Sequence, residues 1–99
     1  MSENGKLTDA ELSPIAGVPG TQLANGPAAG WNAMAAYIYE KEKVRITVTG
    51  SVSAYRTYAQ QVVFWNMWLN GTGNLAARPG TSNHGWGINV DVPAYVRAP

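Results

Sequence analysis

A chain of 99 residues is long enough for one small domain, and its 45% hydrophobic content and four tryptophans are sufficient to fill a single core. The formal net charge is +1 and only 13% of residues are charged, which excludes the strongly basic surface of a nucleic-acid-binding protein. The sequence has no cysteine, so it can form neither a disulfide nor a thiolate metal site. No stretch has the apolar length of a signal peptide or a membrane-spanning helix. We therefore expect neither nucleic acid nor membrane among its partners.

The first third of the chain is predicted to surround the core. Residues 1–9 are polar and mixed in charge, which is typical of a flexible tail, and we place a single domain at residues 10–99. Residues 10–30 are rich in proline and glycine, which favours an extended arm over the core with room for one short strand. Gly26-Pro27 then indicates a helix start, because proline is tolerated in the first turn.

A helix and a strand are predicted next. Apolar residues spaced at i, i+3, i+4 and i+7 predict a helix over residues 28–43 with its stripe in the core. The residues of this stripe are Trp31, Met34, Ala35 and Ile38. Apolar and polar residues then alternate over residues 44–49, which predicts a β-strand that ends at Gly50.

A second helix and a second strand complete the predicted fold. The helix runs from Tyr58 to Leu69 and is apolar over a broad arc, so we expect it to be well buried. The strand covers residues 87–92, where apolar residues again alternate. The predicted fold class is therefore α+β, with two helices packed on a small, mostly antiparallel sheet that includes residues 44–49 and 87–92.

The stretch between Ser82 and Asp91 carries the most chemical information. It contains the only histidine of the sequence, His84, and an aspartate seven residues later. Imidazole and carboxylate groups are standard zinc ligands when a fold brings them together. The alternative is that His84 is a hydrogen-bonded structural residue, which is the commoner role of a single histidine.

Three segments together resemble a known family. They are residues 54–61 (AYRTYAQQ), residues 79–87 (PGTSNHGWG) and residues 89–91 (NVD). They are similar to the G-Y-R-S-Y-x-x-Q and S-x-H-x-x-G-x-A-x-D segments of the zinc D-alanyl-D-alanine carboxypeptidases and L-alanyl-D-glutamate endopeptidases. This VanY-like group shares its fold with the hedgehog signalling domain. The resemblance implies a metallopeptidase that acts on bacterial cell-wall peptide stems.

The resemblance also implies roles for individual residues. His84 and Asp91 match two of the three zinc ligands. Arg56 matches the catalytic arginine that holds the scissile carbonyl oxygen, whose negative charge develops in the transition state. The residues that match the substrate-binding edge are Ser82, Gln61 and Tyr55. The alternative for Arg56 is a solvated surface charge.

Two departures from the family pattern affect these expectations. Asn89 stands where the family has a small alanine. The sequence also ends before the family's E-x-x-H segment, which supplies the general base and the third ligand. With one histidine, a His-Asp-His site cannot form within one chain. We therefore expect zinc only if another chain completes the site, and otherwise no cofactor.

Several functions remain open at this point. The first is a peptidoglycan peptidase whose missing ligand and base come from another chain. The second is a degenerate, non-catalytic structural protein such as a minor tail protein. The third is a cell-wall peptide-binding module that uses Arg56, Ser82 and Trp86 without cutting. A further alternative is the N-terminal part of a split endolysin or dipeptidase.

The expected location follows from the resemblance. The substrates of that family lie in the bacterial wall, yet the sequence shows no export signal. Bacteriophage proteins reach the wall by lysis or as part of the virion, so we expect a virion protein of the phage tail that acts at the wall. The alternative is the host cytoplasm before lysis. A missing second half would leave an apolar face or sheet edge exposed, so we expect a homo-oligomer or contacts with other phage structural proteins.

Overall fold

The computed structural model of this protein describes residues 2–93, so Met1 and the last six residues of the predicted domain lie outside it. Two strands and two helices form its regular structure. They are β1 (Leu12–Pro14), β2 (Gln22–Ala24), α1 (Asn25–Glu42) and α2 (Tyr58–Leu69). Short 3-10 turns precede β1 at Asp9–Glu11 and lie in the histidine segment at Asn83–Trp86. Within residues 2–93, neither helix is long and apolar enough to cross a membrane.

The proline- and glycine-rich arm forms the whole sheet. Strands β1 and β2 pair antiparallel, with Leu12 opposite Ala24 and Pro14 opposite Gln22. The ladder is extended by the Ile15 amide, which donates to the Thr21 carbonyl at 3.1 Å. The predicted extended arm is thus present, and it contains two strands where we expected one.

The core lies between this sheet, α1 and the segment that follows α1. Helix α1 contributes Ala28, Trp31 and Ala35, all of which are buried. The other apolar members of the cluster are Ile15, Leu23, Ile46, Val48 and Ala54. The Trp31 indole Nε1–H donates to the Ala16 carbonyl at 2.8 Å, so the polar atom of this large side chain is satisfied within the core.

The predicted α+β class is confirmed, but the predicted strands at 44–49 and 87–92 are wrong. Neither segment belongs to a sheet within residues 2–93. Their alternation does reflect burial, because Ile46 and Val48 are 6% and 1% exposed. The two segments meet at Asp91, whose amide donates to the Ser53 carbonyl and whose carbonyl accepts from Thr49, both at 2.8 Å. Alternation of apolar and polar residues therefore indicates which side of an extended segment is buried. It does not indicate whether the segment pairs with another strand.

The helix bounds agree closely with the sequence. Helix α1 begins at Asn25 rather than residue 28, and it ends where Lys43 adopts a left-handed conformation with φ 57°. Helix α2 occupies Tyr58–Leu69 as predicted. Its start is fixed by a capping box, in which the Thr57 hydroxyl accepts from the Gln60 amide at 3.2 Å and the Gln60 side chain accepts from the Thr57 amide at 2.9 Å.

The expectation that α2 is well buried is wrong. The buried residue of this helix is the polar Gln61. Large apolar side chains on the same helix are exposed, with Val63 at 56%, Trp68 at 37% and Leu69 at 60%. The reason is that α2 meets the rest of the domain through its N-terminal half and through polar contacts, which leaves its apolar arc without a covering layer in the described residues.

The predicted tail contains two enclosed residues. Asn4 and Gly5 are both buried, and Gly5 exchanges backbone hydrogen bonds with Gly85 and Tyr58. The flexibility of residues 1–9 stays a prediction, whereas these buried contacts are a feature that the sequence did not indicate.

Candidate active site

A short turn presents the histidine from the loop after α2. Ser82 caps this turn, since its hydroxyl accepts from the His84 amide at 3.2 Å. The turn ends at Gly87, which has φ 68° and donates to the His84 carbonyl at 3.2 Å. A Cβ at Gly87 would lie 2.6 Å from the Ala24 amide nitrogen, so both the left-handed backbone and the available space require glycine here.

The His84 imidazole is buried and its orientation is fixed. Its Nδ1 lies 2.9 Å from the Ala54 carbonyl oxygen. Because a carbonyl oxygen can only accept, Nδ1 carries the proton, and in the neutral ring the Nε2 lone pair is free to bind a donor or a cation. A backbone carbonyl that holds one ring nitrogen in this way is the usual support for a metal-binding histidine.

Asp91 faces that lone pair. Its Oδ2 lies 3.4 Å from His84 Nε2 and 3.2 Å from Arg56 Nη2. The main chain of Asp91 is bonded to Thr49 and Ser53, so the direction of the carboxylate is set by the backbone. The structure thus brings together His84 and Asp91, the two residues that the resemblance proposed as metal ligands.

Arg56 is anchored at the same point and is not a solvated surface charge. Its Nε donates to the Val52 carbonyl at 2.6 Å, and its guanidinium carbon lies 4.6 Å from the centre of the Phe64 ring. Its side chain is 20% exposed. Burial lowers the pKa of Arg56, whereas the Asp91 carboxylate raises it, and arginine titrates so far above neutrality that it remains a cation.

These groups border an open cleft of about 510 Å³. Arg56, Ser82 and His84 form its polar side. Phe64 and Met67 of α2 and the loop over residues 72–77 form the remainder. A cation and hydrogen-bonding groups on one wall with apolar groups on the other are suited to a short peptide with a carboxylate and small apolar side chains.

Two of the predicted substrate-binding residues do not line this cleft. Gln61 is 3% exposed and its amide is fully engaged: it donates to Asn4 Oδ1 at 3.0 Å and to the Arg56 carbonyl at 3.3 Å, and it accepts from the Gly80 amide at 2.9 Å. The Tyr55 hydroxyl accepts from the Leu7 amide at 3.2 Å. Their observed contacts hold the loops around the site, and direct substrate contact by either stays a prediction.

Two further residues touch the site. The alternation of residues 88–92 places Asn89 on the same side as Asp91, and its Nδ2 lies 3.3 Å from His84 Nε2, to which it can donate when the ring is neutral. The sequence did not indicate that His84 would be its partner. Phe64 stacks on Arg56, and its position two turns into a helix gave no signal of that contact.

The donors at this point fit part of a zinc centre. His84 Nε2 and Asp91 Oδ2 converge as two ligands would, but residues 2–93 contain no group of three or more His, Cys, Asp or Glu side chains that could hold a metal ion. Catalytic zinc takes three protein ligands and one open position. The described residues therefore fit part of a zinc site and not a complete one. In the structure these two atoms already have hydrogen-bond partners: Asn89 contacts His84 Nε2, and Arg56 donates to Asp91 Oδ2.

Comparison with known proteins identifies the family of this chain. The chain matches the family model of VanY, D-alanyl-D-alanine carboxypeptidase, over residues 21–97, which is most of its length. No curated protein and no solved structure matches it. The matched region contains α1, α2 and all the residues that border the polar side of the cleft. The chain belongs to the VanY family of D-alanyl-D-alanine carboxypeptidases, and its domain is peptidase-like and of a type that acts on peptidoglycan.

Proposed function

We propose that this domain binds the peptide stems of the bacterial cell wall in the cleft beside Arg56, with peptides that end in D-alanyl-D-alanine as its ligands. The observation that carries the proposal is the convergence of three side chains on one point. Arg56 Nη2 lies 3.2 Å from Asp91 Oδ2, and that oxygen lies 3.4 Å from His84 Nε2. The family match over residues 21–97 supports the choice of ligand.

Each group has a role in this proposal. The guanidinium of Arg56 is held by Val52 and Phe64, so it can donate to a peptide carboxylate or carbonyl oxygen without losing its position. The carboxylate of Asp91 is half-exposed and can accept from a peptide amide. Ser82 and the apolar residues opposite it would enclose the small alanine side chains.

Hydrolysis is proposed only for an assembly that completes the site. In this family the metal activates water, and a base removes its proton. The described residues supply two ligands and no base beside them. A second chain that supplies both would convert the binding cleft into a peptidase. Without it, the domain would recognise wall peptides and leave them intact.

A structural role in an assembly is a second candidate, and the exposed apolar residues of α2 favour it. Val63, Met67, Trp68 and Leu69 lie on several sides of a helix that carries no charged residue over its whole length. Such an apolar surface is suited to burial against a second copy or another structural protein. We propose a phage tail, or another part of a virion that faces the wall, as the setting. Sedimentation of the pure chain as a stable monomer would count against self-association through this surface.

The test is calorimetric titration of the pure chain with two short peptides, one ending in D-alanyl-D-alanine and the other in L-alanyl-L-alanine. We expect saturable binding of the first only. Arg56→Gln should weaken it at least about tenfold, because it removes a charge-assisted contact to the peptide. Arg45→Gln is the matched control, since Arg45 lies over Tyr39 and away from this cleft. Absence of saturable binding would contradict the proposal.

A second experiment tests the catalytic state. The chain is incubated with the D-alanyl-D-alanine peptide after dialysis against chelator or against zinc, and release of D-alanine is followed by mass spectrometry. We expect none from the pure chain. Release that requires zinc and is lost in Asp91→Ala would mean that the chain is a complete enzyme. Zinc content of the protein taken from its natural assembly, with His84→Ala as control, then shows whether a neighbour supplies the missing ligand.

A further inference from the structure

The segment formed by residues 3–7, here called the N-terminal strap, lies outside the region that matches the family model. That region begins at residue 21. The strap nevertheless contacts the loop that presents His84. Asn4 is 6% exposed, as enclosed as the members of the hydrophobic core, although it belongs to a stretch whose composition predicts a loose tail.

The Asn4 side chain joins two parts of the site. Its Nδ2 donates to the Ser82 carbonyl at 2.8 Å, and its Oδ1 accepts from Gln61 Nε2 at 3.0 Å. Gln61 in turn accepts from the Gly80 amide at 2.9 Å. The paired side-chain amides of Gln61 and Asn4 therefore link α2 to the segment that leads into the histidine turn, Gln61 through Gly80 and Asn4 through Ser82.

The strap backbone reinforces this link. The Gly5 amide donates to the Gly85 carbonyl at 2.8 Å, and the Gly5 carbonyl accepts from the Tyr58 amide at 2.9 Å. The Tyr58 amide is among the first of α2, which have no acceptor within the helix. Gly5 of the strap therefore provides a hydrogen-bond partner both for the first turn of α2 and for the histidine turn.

The fit between the strap and the turn is close. A Cβ placed on Gly85 would lie 1.8 Å from Asn4 Oδ1 and 2.5 Å from Gln61 Nε2. Atoms cannot approach to such distances, so Gly85 lacks a side chain at the point where the Asn4 amide occupies the space. The glycine between His84 and Trp86 is thus matched to a residue some 80 positions upstream.

We propose that Asn4 is a positioning residue for the cleft, and that the N-terminal strap holds the turn carrying Ser82 and His84 in its binding geometry. Asn4 itself does not line the cleft. It acts through the Ser82 carbonyl and through Gln61. Its effect on ligand affinity rests on the proposed function, whereas its effect on the order of the turn does not.

The first test measures amide hydrogen exchange in the wild type, Asn4→Ala and Asn4→Asp. Asn4→Ala should speed the exchange of the Gly5, Gly80 and Gly85 amides at least about tenfold. In the wild type, local opening of the strap and the turn must break the hydrogen bonds of Asn4 to Ser82 and Gln61, and in the variant these bonds are absent. Asn4→Asp keeps the acceptor for Gln61 and loses the donor to Ser82, so its effect should be smaller at Gly80 than at Gly85. Exchange at Trp31 and Ala35 of α1 should not change.

The matched control is Glu3→Ala, which removes an exposed neighbour whose side chain pairs with Lys6 and makes no contact with the turn. It should leave all of these exchange rates unchanged. Uniformly faster exchange across α1 and the turn in Asn4→Ala would mean a general loss of stability and would overturn the positioning role. Unchanged exchange at Gly80 and Gly85 would also overturn it.

The second test is a double-mutant cycle between the two fitted positions. Gly85→Ala alone should be severely destabilising, because its Cβ would overlap the Asn4 amide. Asn4→Ala removes the closest overlap and leaves the 2.5 Å approach to Gln61 Nε2, so Gly85→Ala should cost less, but still something, in the Asn4→Ala background. Additive effects of the two substitutions would contradict the packing of the strap on the turn.

The titration with the D-alanyl-D-alanine peptide connects the strap to function. Asn4→Ala should weaken binding about three- to tenfold. Asn4→Asp should weaken it at least as much, because its buried carboxylate would face the Ser82 carbonyl oxygen with no donor between them. Unchanged affinity together with faster exchange would show that the strap orders the turn without shaping the cleft, which would overturn its role in binding. If the wild type itself does not bind the peptide, the proposed function fails, and the exchange data and the cycle still decide the ordering of the turn.

Discussion

Helix α1 packs through Ala28, Trp31 and Ala35, whereas the buried residue of α2 is the polar Gln61. The difference shows two ways of attaching a helix to a small domain. Helix α1 gains from the removal of apolar area from water, which is insensitive to direction. Helix α2 is tied by hydrogen bonds that have a required geometry, and they lead directly to the candidate site. Helix α1 therefore contributes mainly to the stability of the core, whereas α2 fixes the position of the loops around the candidate site.

The strongest way to break this comparison is to truncate one tryptophan on each helix. Trp31→Ala should lower the free energy of unfolding by about 3–5 kcal/mol, because it empties a buried site and removes the bond to the Ala16 carbonyl. Trp68→Ala should cost only about 1 kcal/mol, since Trp68 is 37% exposed and its ring makes an edge-on pair with Trp65, with the ring centres 5.2 Å apart. Urea denaturation of both variants measures the difference. Equal losses would show that α2 is also held by apolar burial.

Gln61→Leu tests the polar attachment of α2. The substitution keeps the volume and removes every hydrogen bond of the side-chain amide, which takes the partner of the Gly80 amide and of Asn4 Oδ1 away. The bond from Asn4 Nδ2 to the Ser82 carbonyl remains. We expect a loss of about 2–3 kcal/mol in unfolding free energy. Asn66→Leu, on the exposed part of the same helix, is the control and should change little. A stabilising Gln61→Leu would mean that apolar packing is the better attachment for this helix.

Asn89→Ala sharpens the comparison at the site itself. Asn89 occupies the lone pair of His84 that a metal would need, so its removal should tighten zinc binding about fivefold, the worth of one hydrogen bond. Competition with a chromophoric chelator measures the affinity. Asn83→Ala, in the same turn but exposed, should leave it unchanged. Weaker zinc binding in Asn89→Ala would instead make the Asn89 oxygen a ligand.

The smallest effect is expected on acidification. Hydrogen bonds from Ser2 and Thr8 lower the pKa of Glu11, so the folded state holds this carboxylate ionised more readily than the unfolded state does. Its contribution is complete above the ordinary glutamate pKa and is lost as the pH falls through the lowered folded-state value. Glu11 lies between the N-terminal strap and β1, so Glu11→Gln should remove a small part of the stability difference between neutral and acidic solution. Denaturation of both proteins across pH 7 to about pH 3 checks this.

Much of the fold was accessible from the sequence because local chemistry determines it. The bounds of α2 follow from the Thr57 cap and the Asn70-Gly71 stop. Helical spacing correctly placed Trp31 and Ala35 of α1 in the core, but the same prediction for Met34 is wrong, since Met34 is 43% exposed. The membership of the sheet was not accessible. Residues 44–49 alternate as a strand does, but pairing depends on where a second segment passes, and here the arm pairs with itself.

The candidate site, like the fold, was only partly predictable from the sequence. The resemblance identified His84, Asp91 and Arg56, and the structure brings these three together. It did not indicate Asn4 or the enclosed position of Gln61, because a short polar segment has no periodicity that would reveal its packing partner. Long-range hydrogen bonds between side chains and main chain leave no local signal in a sequence.

The loop over residues 72–77 has a consequence for how the family can diversify. It forms one wall of the cleft, and its amides at Thr72 and Gly73 bond to the Met67 carbonyl at the end of α2. On the polar side of the cleft, Arg56 and His84 are held by other segments, through the carbonyls of Val52 and Ala54. Exchange of this loop would therefore change the shape of one wall of the cleft while Arg56 and His84 keep their anchors. If the cleft binds peptides as proposed, natural variation or laboratory selection in this loop can change which peptide is bound without a change in the rest of the fold.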